Sequence, residues 1–163
     1  MATKKILVVS DSHGLNHNLW RILEKEKPYD KLVHCGDYEY TESELIKRAG
    51  CEVFLVSGNN DYGLSLPPQA VMTFGTHRAL IVHGHRHSLY AGLQNLYFAA
   101  QEAEADFCFF GHLHRPVEAH REGVTFLNPG SVTYPRQEGQ KATYLTLTYE
   151  TGKPDVSIRF HSI

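Results

Sequence analysis

Long apolar runs are missing from this 163-residue sequence. None approaches the length that a bilayer-spanning helix requires. The first apolar run, after Lys4-Lys5, stops at Asp11 and is too short for the core of a secretory leader, so a cytoplasmic protein is expected. Cysteine is scarce, with only Cys35, Cys51 and Cys108. Three widely spaced cysteines without a C-x-x-C pair exclude a disulfide framework, a thiolate zinc finger and a dithiol redox motif. Each lies in or beside an apolar run and is expected to be a buried free thiol. An excess of one charge is also absent: 16 Lys and Arg against 18 Asp and Glu leave a formal net charge of -2. That argues against broad, unassisted binding to nucleic acid or an anionic membrane. There are no repeats, low-complexity tracts or linkers, so one domain over residues 1–163 is expected.

What is abundant is histidine. There are 11, and several cluster, in "HGHRH" (His83 to His87) and in "GHLH" (Gly111 to His114).

The apolar pattern predicts an α/β fold. "KILVVS" is a continuous run with β-branched residues, as in a strand buried on both faces. A helix is expected over residues 16–27, with Leu19, Ile22 and Leu23 on one face and Pro28 ending it. "KLVHC" reads as a second strand. Thr41-Glu42-Ser43-Glu44 fits a capping box opening a helix that stops at Gly50. "CEVFLVS" reads as a third strand, and Pro67-Pro68 mark a break. "AVMTF" and "HRALIVH" flank Gly75-Thr76 as a hairpin. A helix is expected from about residue 89 to 105, then a strand at "DFCFF". "VEAHR" with "VTFLN", and "ATYLTLTYE" with "DVSIRFH", read as two more hairpins. The mixture of connections implies a mixed sheet arrangement, and the two closing strands look half-exposed.

Polar clusters follow five of these apolar runs: Asp11-Ser12-His13, Gly36-Asp37, Gly58-Asn59-Asn60-Asp61, His83-Gly84-His85 and Gly111-His112-Leu113-His114. Alone, each has an ordinary reading as a cap, a turn or a satisfied histidine. Together, five strand ends carrying carboxylate, imidazole and amide donors suggest one pocket at the carboxyl edge of the sheet, of a composition suited to hard or borderline dications. Gly36, Gly58 and Gly111 each precede a candidate ligand and allow close backbone approach. In extended chain, residues two apart point the same way, which would let Asp11 with His13, and His112 with His114, face one site. Asp11, His13, Asp37, Asn59, His83, His112 and His114 are too many ligands for one ion once water or substrate joins. Two ions sharing a carboxylate fit better.

The order D-x-H, G-D, G-N-x-D, H-G-H, G-H-x-H resembles the calcineurin-like metallophosphoesterase superfamily, and its small single-domain prokaryotic phosphodiesterase branch in particular. "NPGSVTYPR" near Asn128 is similar to small members as well. The resemblance implies a four-layer α-β-β-α sandwich with two central mixed β-sheets. It implies that Asp11, His13 and His114 hold one divalent ion, that Asn59, His83 and His112 hold a second, and that Asp37 bridges them. The ions would be Mn2+ foremost, with Fe2+, Zn2+ or Ni2+ as alternatives, and a water or hydroxide between them would attack phosphorus. The expected substrate is a small phosphoester, and relatives are often homodimers or larger. This chain departs from the pattern at Asn60, where many relatives carry a histidine thought to protonate the leaving oxygen, a contribution of about 10²–10⁴ in rate. His85 is the local substitute, with a hydrogen-bonding support role as the alternative. Leu113, between the two histidines, is expected to pack. Asn60, Arg115 and Tyr38 are expected substrate contacts. Two other readings of the same motifs are a non-catalytic interaction module of this fold and a phosphomonoesterase. The second would need more cations than Arg86 and Arg115.

Overall fold

Alternation along the strands explains how the layers form. In β1 (Thr3–Val9), Ile6 and Val8 face one way and Leu7 and Val9 the other, and all four are fully buried. Successive side chains of a strand point to opposite faces, so a strand apolar at every position needs cover on both. The computed structural model, which describes residues 2–163, provides that cover. Ile6 and Val8 join a cluster with Ile81, Phe107 and Phe109, while Leu7 and Val9 join another with Leu19, Leu23 and Leu45.

The remaining elements are α1 (His17–Lys25), β2 (Lys31–His34), α2 (Glu42–Ala49), β3 (Glu52–Leu55), β4 (Gln69–Phe74), β5 (His77–Val82), a 3-10 turn (Leu89–Ala91), α3 (Gln94–Glu102), β6 (Phe107–Phe109), β7 (Pro116–Arg121), β8 (Val124–Pro129), β9 (Thr143–Glu150) and β10 (Val156–Ser162). They build two five-stranded sheets, ordered β10-β9-β1-β2-β3 and β4-β5-β6-β8-β7. Both are mixed. β1, β2 and β3 run parallel, as do β5, β6 and β8, and the outer pairs are antiparallel. Three apolar clusters mark three interfaces. One lies between the sheets, one under α1 and α2, and one under α3, where Leu80, Val82, Cys108 and Phe110 meet Leu96 and Ala100. The result is a four-layer α-β-β-α sandwich. Cys35 and Cys108 are buried, Cys51 is half-buried, and all three are free. Among the described residues no helix is long and apolar enough to cross a membrane.

Several expectations about element ends are corrected. α1 covers His17–Lys25 rather than 16–27. Thr41 is the N-cap of α2, but its side chain makes no capping bond; Glu44 N–H donates to the Thr41 carbonyl instead. The long third helix is divided at Gly92, whose φ of 100° ends the 3-10 turn before α3 starts. Only β10 of the closing pair is half-exposed. β9 lies between β1 and β10 and is largely buried.

Candidate metal centre

The carboxyl ends of β1, β2, β3, β5 and β6 deliver the candidate ligands, three strands from one sheet and two from the other. The backbone there is not extended, as the two-residue spacing had suggested. Asp11, His13, Asp37, His112 and His114 all have positive φ, between 52° and 71°. An L-residue in that region costs roughly 1–2 kcal/mol, and such strain gathers where the surroundings over-determine the backbone. Here they do. The N–H groups of Asp11, His13 and Gly14 donate in register to the carbonyls of Gly36, Asp37 and Tyr38, at 3.0, 2.8 and 2.9 Å. The left-handed turns bring His114 to His13 and His112 to His83, with ring centroids 5.0 and 5.2 Å apart, by a route that simple alternation does not provide. The glycines allow the strand ends to close on one another. A Cβ on Gly58 would overlap the Asp37 carboxylate, and one on Gly111 would sit 2.6 Å from Asp11 Oδ2.

At the centre, Asp11 Oδ1 lies 3.2 Å from His114 Nε2, 3.7 Å from His13 Nε2 and 3.8 Å from His83 Nε2. Asp37 Oδ2 lies 3.3 Å from His83 Nε2 and 3.9 Å from His13 Nε2. The outward nitrogen of each imidazole is occupied. His13 Nδ1 lies 2.5 Å from Glu39 Oε2, His114 Nδ1 2.8 Å from the Tyr134 carbonyl, and His83 Nδ1 2.8 Å from the Cys35 carbonyl. Those partners are acceptors, so each Nδ1 carries a proton and each Nε2 is the nitrogen turned inward, the one free to bind a metal. The Nε2 atoms of His13 and His114 face each other at 3.1 Å.

Asp11 Oδ1 and His83 Nε2 are buried without any hydrogen-bond partner. Buried polar atoms are rarely left so, and a cation among them would satisfy both. The donors form two overlapping groups, Asp11-His13-His114 and Asp11-Asp37-His83. The residues present therefore fit a divalent metal.

Electrostatics agrees with this arrangement. Burial alone would raise the Asp11 carboxyl, but His114, His13, His83 and the Ser10 hydroxyl together hold it far below the usual carboxylate range. Burial likewise opposes Asp37, and the His83 ring and Asn60 N–H groups bring it down to about 2. Both stay ionised. His13 and His83 are pushed up against their own burial by the same carboxylates. Burial and the neighbouring His83 push His85 and His112 down.

The other expected residues fall in different places. His112 and His85 surround His83, with ring centroids 5.2 and 5.4 Å from it. Asn59 is exposed and lines a cleft with His85 and Arg86. Asn60 is the asparagine that touches Asp37, its N–H 2.8 Å from Oδ1 and its amide nitrogen 3.1 Å from Oδ2. Arg115 is exposed beside His112. Leu113 packs on the α3 cluster. Tyr38 is a correction. Its ring is fully buried under α2 and its hydroxyl donates to the Thr41 carbonyl at 2.8 Å, so it belongs to the core and touches no substrate.

Sequence reasoning missed Glu39, which sits two residues after Asp37 with no motif to mark it. Asp61 orients these turns. Its Oδ2 accepts from the N–H groups of Asp37 and Gly58, at 2.8 and 2.7 Å, and its Oδ1 accepts from Glu39 N–H at 2.7 Å. The "NPGSVTYPR" segment binds the ligand turns from behind. Asn128 donates to the Gly111 carbonyl, Ser131 to the Asp11 carbonyl and Thr133 to the Ser12 carbonyl, at 2.9, 2.7 and 2.9 Å.

Comparison with known proteins bears on the family. The model of the calcineurin-like phosphoesterase superfamily domain matches residues 5–152. The probable metallophosphoesterase YsnB of Bacillus subtilis is 34% identical over 157 residues, covering 96% of this chain and 89% of that protein. A predicted phosphoesterase from Streptococcus pneumoniae superposes with a TM-score of 0.82 at 28% identity, covering 100% and 99% of the two chains. Two solved structures share the fold at lower identity. Vacuolar protein sorting 29 from Cryptosporidium parvum has a TM-score of 0.79 at 18% identity, covering 99% of each chain. An archaeal phosphodiesterase has 0.75 at 20%, covering 98% and 99%. With the strand-end candidate ligands in the family's order and the family model spanning nearly the whole sequence, this chain belongs to the calcineurin-like phosphoesterase superfamily.

Proposed function

We propose that this protein is a phosphodiesterase that works with two divalent ions, Mn2+ foremost. The observation that carries the reading is the pair of overlapping donor groups around the unpartnered Asp11 Oδ1 and His83 Nε2. Asp11, His13 and His114 would hold one ion. His83, His112 and Asn59 would hold the other, with Asp37, within 4 Å of both His13 and His83, between them. Two bound dications supply a nucleophile from water at neutral pH and neutralise charge that develops on phosphate oxygens.

The chain's own contribution is position and charge. Asp37 stays ionised and is held by Asn60. Asp61 and the glycine turns keep the strand ends at fixed separation. His85, which lines two clefts and whose ring lies 5.4 Å from that of His83, would hydrogen-bond the leaving oxygen. With its pKa lowered it is a neutral imidazole at pH 7 and donates an N–H rather than a free proton. That suits good leaving groups better than poor ones.

Hydrolysis of bis(4-nitrophenyl) phosphate by the Mn2+-loaded protein tests the reading, with 4-nitrophenyl phosphate as the monoester control. The diester rate should exceed the monoester rate, and Asp37→Asn should abolish most of it. A fully metallated Asp37→Asn protein as active as its parent would end the proposal. A second reading, a non-catalytic interaction module, is favoured by Asn60 at the position of the usual proton donor and by the likeness to vacuolar protein sorting 29. Stoichiometric metal with no turnover on either ester would select it.

A further inference from the structure

Three clefts lead away from the ligand cluster. One, of about 570 Å³, starts at His13 and His114 and is walled by Tyr134 and Arg136. The other two share His85 as a wall, whose ring lies 5.4 Å from that of His83. A cleft of about 480 Å³ starts at Asn59 and His85 and contains Tyr62 and Arg86. A cleft of about 390 Å³ starts at His112 and His85 and contains Tyr90 and Arg115. Each pairs a tyrosine with an arginine.

The pairing is selective. Of nine tyrosines, four are exposed: Tyr40, Tyr62, Tyr90 and Tyr134. Tyr40 packs edge-on against Trp20 and Tyr38. The other three, at 84%, 94% and 49% exposure, are the three that line clefts opening on the ligands. No lysine lines any of these clefts. Arginine differs from lysine in stacking on aromatic faces and gripping phosphate bidentately, and exposed aromatic rings beside a cationic groove are how bases are held without sequence preference. The Tyr134 wall is also rigidly tied to the site. His114 Nδ1 donates to the Tyr134 carbonyl, Arg136 N–H donates to the His114 carbonyl at 2.8 Å, and the Tyr134 ring lies edge-on to His13 at 5.6 Å.

From this arrangement we infer that the substrate is a dinucleotide-type phosphodiester, with one nucleoside arm on Tyr134 and Arg136 and the other on Tyr62 and Arg86. The scissile phosphate then lies over the ligand cluster between the two clefts. A phosphodiester has two ester arms, and the two clefts start at different donor groups, one at His13 and His114 and the other at Asn59 and His85 beside His83. The inference rests on the phosphodiesterase reading and narrows it to substrates with two bases rather than one.

The test uses the Mn2+-loaded protein and a dinucleotide whose bridging ester oxygen is replaced by methylene, which keeps the charge and resists hydrolysis. Its Kd is compared with that of a 3′,5′-cyclic mononucleotide, and bis(4-nitrophenyl) phosphate turnover is followed in parallel. The dinucleotide should bind at least tenfold more tightly. Tyr134→Ala and Tyr62→Ala should each weaken it by about tenfold or more, the worth of one stacked base. Tyr134→Phe should recover the loss, and Arg136→Gln should flatten the salt dependence. Dinucleotide binding no tighter than the cyclic mononucleotide, or unchanged by the tyrosine variants, overturns the inference even if the aryl diester is hydrolysed. Tight, tyrosine-dependent binding in a protein that hydrolyses no diester would sink the phosphodiesterase reading and leave the cleft assignment standing.

Discussion

Replacing Glu39 with glutamine isolates one contact of the metal centre. Glu39 Oε2 lies 2.5 Å from His13 Nδ1, and Asp61 anchors the Glu39 backbone through its N–H at 2.7 Å. The carboxylate holds the His13 proton on Nδ1 and makes Nε2 a better donor. Glutamine keeps the length and an oxygen acceptor but loses the charge. Removing such an outer partner typically costs 10–100-fold in metal affinity, equivalent to about 1.4–2.7 kcal/mol. The loss should fall on one site only. His13 belongs to the Asp11-His13-His114 group, whereas His83 takes its orientation from the Cys35 carbonyl, which the substitution leaves alone. A titration of metal-free protein against a competing chromophoric chelator should therefore show two classes of site, with one weakened and the other unchanged. The pH adds a check. Glu39 also favours the proton that competes for His13, so the variant's deficit should be largest where His13 is already unprotonated and should shrink as pH falls. Equal weakening of both sites, or none, would refute the assignment of Glu39 to His13.

Asp61→Ala should lose at least about 3 kcal/mol in urea denaturation, because three backbone N–H groups at the ligand turns lose a charged acceptor. A smaller loss would mean that the turns hold without it. Gly58→Ala should abolish metal binding in a chelator titration while circular dichroism stays native, since its Cβ would overlap the Asp37 carboxylate. Metal-free protein should melt lower than metal-loaded protein by an amount that grows with metal concentration, about 2.7 kcal/mol at 100 times Kd. A Tm indifferent to Mn2+ would contradict the fit to the unpartnered Asp11 Oδ1 and His83 Nε2. His34 predicts a pH effect. It is fully buried and its pKa is pushed down to about 3, burial being the chief cause. Between 6.5 and 3 the unfolded chain therefore binds a proton that the native state refuses. Stability is lost as pH falls through that interval, roughly 5 kcal/mol over the whole of it. His34→Gln can keep the bonds with the Ser12 hydroxyl and the Gly36 N–H without titrating. Its midpoint in metal-free buffer should fall less than the parent's between pH 7 and 5, and parallel curves would exclude His34 as a source of acid lability.

What could be read in advance depended on whether neighbours along the chain decide it. The strands were legible because continuous apolar runs at Ile6 to Val9, Ala79 to Val82 and Phe107 to Phe110 can be covered only by layers on both faces, and both covers exist. The gathering of ligands at strand ends was legible for a related reason: parallel strands from one sheet all end at one edge. The detail inside the turns was not, because residues far away in sequence set it. Asp61 places Asp37 and Glu39 from more than 20 positions downstream, and Ser131 holds Asp11 across 120. A local rule such as alternation therefore fails for His112 and His114, since both are left-handed rather than extended. Tyr38, expected at the substrate because it follows Asp37, is turned into the core. Asn59 and Asn60 are chemically identical, so only the turn decides that Asn60 meets Asp37. The same long-range ties that hid these details hold five costly left-handed residues around one cluster of candidate metal donors. Relaxing any one of them would release local strain and disperse the donors, so the fold's irregular backbone and its capacity to hold metal are a single property of these turns.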